Sequence, residues 1–212
     1  MVSILLNIAI AIISVLAWLS VVQGHGDDRN LMAHGLRSLK YYTVLSNLFS
    51  GLISALYAAD MLLSHGSPDS WILVLKLAAA SVVMVTFLTV MLFLGPTMGW
   101  EHMFKAGNFW LHLALPLAAA ADVCLFAQVG ALPFLATLAP VVFTAAYGVF
   151  YLGRILLYGR ERDGVVYDFY GFLRTGEDKA AVVVVVVVVV MLTGTWLIAV
   201  ALWFISRLIG LA

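Results

Sequence analysis

Charge is scarce in this chain. Only 10% of its 212 residues are Asp, Glu, Lys or Arg, 64% are hydrophobic, and the formal net charge is zero. A soluble domain of this length cannot bury so much apolar surface. The balanced charge leaves no electrostatic footprint for nucleic acid. Cysteine is almost missing: Cys124 stands alone inside an apolar run, which excludes an intramolecular disulfide and cysteine-pair redox chemistry. The signatures of several intramembrane enzymes are missing too. There is no rhomboid-type G-x-S-x, no H-E-x-x-H, and no aspartate pair suited to aspartyl proteolysis.

What the chain has instead is long apolar runs. A helical span needs roughly 20 apolar residues to cross about 30 Å of hydrocarbon. Six stretches qualify, at about 2–22, 41–63, 71–94, 109–126, 132–157 and 180–205. Lipid cannot satisfy the backbone of an open strand, so the expected fold is all-α, a single six-span bundle over residues 1–212. The first run lacks the basic leader and small-residue cleavage site of a secretory signal and reads as a true span. No internal repeat or linker divides the chain. The nine valines at 182–190 read as a helix face turned to lipid.

The connections after the first, third and fifth spans carry Arg29, Arg37, Lys40, Lys105, Arg160, Arg162, Arg174 and Lys179; the opposite side has Arg207. The positive-inside rule places the basic loops in the cytoplasm and both termini outside.

Polar residues inside spans are costly, so their positions are informative. In the second span Thr43, Asn47, Ser50, Ser54 and Tyr57 follow spacings of four, three, four and three, which form one polar face. Gly51 beside them lets a neighbour approach, and interhelical adhesion is the plain reading of the lower stripe. The fourth span encloses His112, with Asn108 one turn before it and Pro116 one turn after. His25, His34, His65 and His102 lie in or beside loops, so no second axial ligand for heme stands at matching depth. One histidine without clustered carboxylates implies no metal, and no cofactor is expected. Thr43 lies about 4 to 5 Å past the basic-side entry and His112 about 6 Å, at one level. Asp122 is about 15 Å deeper than His112, and Asp60 about 25 Å below Thr43, at the far end as a cap or interfacial residue. Tyr147, Tyr151, Arg154 and Tyr158 share a face of the fifth span, a pattern usual for interfacial anchors, although Tyr147 lies deep for that role. Beyond them V-V-Y-D-F-Y-G-F, residues 165–172, reads as a re-entrant lid or a surface-lying stretch.

K-Y-Y-T-V-L-S-N-L at 40–48, H-x-x-x-P at 112–116, and Tyr147 followed by G-V-V-Y-D-F resemble the androgen-induced-gene and androgen-dependent-inhibitor family, with which similar bacterial six-span proteins belong. The resemblance covers most of the chain in order and spacing. It implies a hydrolase of fatty acid esters of hydroxy fatty acids, with Thr43 as nucleophile and His112 as base, in a bacterial inner membrane. Asp168 stands where the family more often has proline, and the Ser46-Asn47 pair differs from animal members, so the substrate need not be theirs. Within that reading Asn47 and then Tyr147 are candidate oxyanion donors. Asp168 orients His112 only if its loop folds back. The expected partner is a lipid or other long-chain ester, with no nucleic acid. The alternative is a non-enzymatic lipid-binding or transport protein whose path the polar stripe lines, although inverted repeats are absent and only Pro116 and Pro140 offer kinks.

Overall fold

The computed structural model describes residues 1–23, 35–105, 107–159, 161–162, 165–166, 168, 170 and 180–210. Six of its helices are long and apolar enough to cross a membrane: α1 (Val2–Val22), α2 (Tyr42–Leu63), α3 (Ser70–Met98), α4 (Gly107–Leu125), α5 (Phe134–Tyr158) and α6 (Ala180–Gly210). Among the described residues the sole strand pairing is two residues long, Glu161–Arg162 against Val165–Val166. The chain is an all-α multi-pass bundle. Arg29, Arg160, Arg174, Lys179, His25 and His34 lie outside the described residues, as does the side chain of His102.

α3 is the centre of the bundle. It packs on α2, α4, α5 and α6, while α1 closes the rim between α2 and α4. The sequence of α3 explains this. Its Ala78-Ala79-Ala80-Ser81 run is buried throughout, and small side chains let several backbones approach where lipid supplies no hydrophobic drive between helices. Two glycines serve the same end: a Cβ at Gly51 would collide with the Ser14 side chain of α1, and one at Gly130 with the backbone of Arg207 on α6. In the valine run, Val186, Val189 and Val190 turn outward on α6, as a lipid-facing surface requires.

The prolines shape three of the spans. Leu115 N–H reaches back five residues to Trp110 O, a π-turn at Trp110–Ala114 that ends just before Pro116. Gly95 N–H reaches Val90 O in the same way before Pro96. Proline has no N–H and its ring collides with the carbonyl four residues earlier, so a widened turn relieves the clash. The extra residue breaks the regular period on which Asn108, His112 and Pro116 share a face. Pro140 makes no kink: it stands in the first turn of the α-helical part of α5, after a 3-10 stretch at Phe134–Leu138.

Candidate functional site

Thr43 lies in the first turn of α2. Taking about 100° per residue, the contacts of α2 orient it in the bundle. Tyr42 bonds Thr144 of α5 at 3.0 Å, Ser46 bonds Thr86 of α3 at 3.2 Å, and Asn47 bonds the Leu111 carbonyl of α4 at 3.0 Å. The direction of Thr43 falls between those of Ser46 and Asn47, on the side where α3 and α4 meet. Thr43 is half-buried there.

Asn47 ties the two candidate residues together. Its Nδ2 donates to Thr43 O at 2.8 Å as well as to Leu111 O, so one amide nitrogen bridges the Thr43 backbone and the residue before His112. Both amide protons are directed at carbonyls, which sets the orientation of the side chain. In this arrangement Asn47 is a strap between α2 and α4 and offers no donor to an oxyanion. The N–H groups of Thr43 and Val44, in the first turn of a 22-residue helix, have no acceptor inside that helix and carry the positive end of its dipole.

His112 sits on the π-turn, buried, with Nδ1 2.7 Å from Met103 O. A carbonyl only accepts, so Nδ1 carries a proton and donates it to Met103 O. The Met103 carbonyl is therefore an orienting partner of His112. Asp168 is buried, and its carboxylate accepts a short hydrogen bond from Tyr151. No protein-family model, curated protein or solved structure matches this chain.

Tyr147 is not an interfacial anchor. Its hydroxyl donates to Lys40 O at 2.7 Å and lies 3.1 Å from the Tyr170 hydroxyl, which accepts from Tyr42 N–H at 2.9 Å. Burial pushes the Tyr170 hydroxyl up to about 12, so it stays protonated at neutral pH.

A second polar cluster, which the sequence reasoning missed, lies toward the opposite end of the bundle. Lys76 Nζ is 3.1 Å from Asp122 Oδ2, with the two side chains 1% and 0% exposed. Ser3 donates to Asp122 Oδ1 at 2.7 Å and Asn7 to Oδ2 at 2.9 Å. Lys76 also donates to Ser54 at 3.1 Å and lies 5.5 Å from the Tyr57 ring centre. Four helices meet on this pair. The signal was available: an ionisable residue inside a span pairs or faces a cavity by default. Lys76 lies about 9 Å in from the start of α3 and Asp122 about 4.5 Å from the end of α4, close enough in depth for a lysine side chain to span. Asp60 plays the expected capping part, accepting from Asp69 N–H at 3.0 Å across the turn between α2 and α3. Among the described residues no cluster of metal-ligating side chains occurs.

Proposed function

We propose that this chain is a membrane-embedded ester hydrolase in which Thr43 is the nucleophile and His112 the general base. The observation that carries the reading is the placement of His112, a buried imidazole whose Nδ1 is held by Met103 O, on a segment strapped by Asn47 to the backbone of Thr43. With Nδ1–H held in this way, the general-base role falls to Nε2. Nε2 takes the hydroxyl proton of Thr43 as Oγ1 bonds to the ester carbonyl carbon. The departing alcohol then receives that proton from His112. Water deprotonated by Nε2 attacks the acyl-threonine, the carbonyl–Oγ1 bond breaks, and the proton returns to Oγ1 as the fatty acid leaves. The first-turn N–H groups of Thr43 and Val44 are the donors best suited to the oxyanion, since those of Asn47 and Tyr147 are directed at backbone carbonyls.

The depth of Thr43, about 5 Å inside its span, suits an uncharged ester near headgroup level with a long acyl chain in hydrocarbon. Fatty acid esters of hydroxy fatty acids fit that description. The transport reading has less support, because the lower stripe of α2 is occupied by packing: Gly51 is pressed on Ser14, and Ser54 accepts from Lys76.

The test is covalent labelling with a fluorophosphonate probe in mixed micelles. Labelling is expected in the parent and in Thr43→Ser, and is expected to vanish in Thr43→Ala and His112→Ala while both variants stay folded. A folded parent that never labels, or an alanine variant that labels fully, overturns the proposal.

A further inference from the structure

The entry into α2 has an unusual cap. Tyr41 occupies the N-cap position but makes no side-chain capping bond, so the first helical N–H needs another acceptor. That acceptor is Tyr170, 128 residues away. The direction of each hydrogen bond around it is determined. Lys40 O only accepts, so the Tyr147 hydroxyl donates to it. Having given up its hydrogen, Tyr147 receives one from Tyr170, and Tyr170 receives from Tyr42 N–H. The chain Tyr42 N–H, Tyr170 O–H, Tyr147 O–H, Lys40 C=O thus closes on both sides of Tyr41. Each hydroxyl both donates and accepts, and such chains strengthen in a low-dielectric setting. Tyr170 and its near neighbour Asp168 both rest on Tyr151, which donates to the Asp168 carboxylate and packs edge-to-face on Tyr170 with ring centres 5.4 Å apart.

We infer that Tyr170 and Tyr147 are positioning residues for the nucleophile: together they clamp the two peptide units that flank Tyr41 and so fix the entry to the first turn of α2. The role in turnover rests on the hydrolase reading; the clamp itself does not. A shift of a few tenths of an ångström in this turn moves both Oγ1 of Thr43 and the N–H groups beside it relative to His112, and catalysis is steep in that geometry. The clamp also makes Tyr170 part of the site, since displacing its hydroxyl releases the turn.

The experiment compares the parent with Tyr170→Phe, Tyr147→Phe and the double variant, each of which keeps the rings and removes only hydroxyls. Amide hydrogen exchange across residues 41–45 in detergent is expected to rise at least tenfold in either single variant, with melting temperatures near the parent's. Turnover of a long-chain p-nitrophenyl ester in mixed micelles is expected to lose about tenfold in kcat with KM within twofold. Because the two hydroxyls act in one chain, the double variant should lose no more than either single one. Unchanged exchange, or losses in kcat that multiply in the double variant, overturns the clamp. Exchange that rises in a protein whose parent neither labels nor turns over keeps the clamp and overturns the hydrolase reading.

Discussion

Removing the ammonium from the buried pair, as in Lys76→Met, gives the most direct measure of what holds the bundle together. The replacement keeps a long apolar stem and leaves Asp122, 0% exposed, with the donors Ser3 and Asn7 but no cation. Breaking a buried ion pair from one side costs about 3–5 kcal/mol, because the surviving charge is left uncompensated. For a protein of this size each kcal/mol lowers the melting temperature by roughly 2–4 °C, so the expected drop is about 6–20 °C. Asp122→Asn should fall in the same range, since it strands the ammonium. The double variant Lys76→Met with Asp122→Leu removes both charges and should recover most of the loss. Exchanging the charges, Lys76→Asp with Asp122→Lys, should not recover it. Ser3 and Asn7 present hydrogens to position 122, a setting that favours a carboxylate and opposes an ammonium. The assay is thermal unfolding in detergent followed by intrinsic fluorescence. A Lys76→Met variant that melts within 2 °C of the parent, or a charge exchange that restores the parent value, refutes the reasoning.

Two other outcomes follow from the same structure. Asn47→Leu should cost about 2 kcal/mol by losing two hydrogen bonds, whereas Asn47→Asp should cost about 3–5 kcal/mol, because it turns a buried charge and acceptors toward the carbonyls of Thr43 and Leu111; equal losses in chemical unfolding would count against the strap. For sidedness, single cysteines at Leu36 and Ser67 in a Cys124→Ser background, both exposed and at opposite ends, should differ in intact cells: an impermeant maleimide should modify position 67 and spare 36, and the reverse pattern places the basic loops outside.

The six spans were legible because lipid leaves the chain few options: roughly 20 apolar residues must be helical. Rise per residue set Thr43 and His112 at one level as an expectation, and Asn47 joins the carbonyls of Thr43 and Leu111. The contacts that decide what each polar group does were not. Asn47 and Tyr147 have the right chemistry for an oxyanion, but their hydrogens are claimed by backbone carbonyls whose positions depend on how helices meet. Asp122 was set aside because its depth was compared with His112 alone, when its partner was Lys76 on a different helix. Tyr170 caps a helix 128 residues away, beyond any local pattern. The π-turns, by contrast, follow a rule the sequence already carries, since each ends just before a proline.

The polar residues of α2 make sense as a set once the partners are known. Lipid offers no hydrophobic drive between helices, so their relative positions rest on close packing and on hydrogen bonds. α2 uses a different neighbour at each level: α5 through Tyr42, α3 through Ser46, α4 through Asn47, α1 through Gly51, and α3 again through Ser54 and Lys76. Ser54 lies about 16 Å along the helix from Thr43, too far for the ion pair to influence a reacting atom directly. On the hydrolase reading, stability and chemistry therefore separate along one helix. Lys76→Met, held well below its lowered melting temperature, should still label at Thr43 at close to the parent rate. A loss of labelling in that folded variant would show that the two ends of α2 are coupled through the bundle, and that the ion pair sets the geometry of Thr43 as well as the stability of the fold.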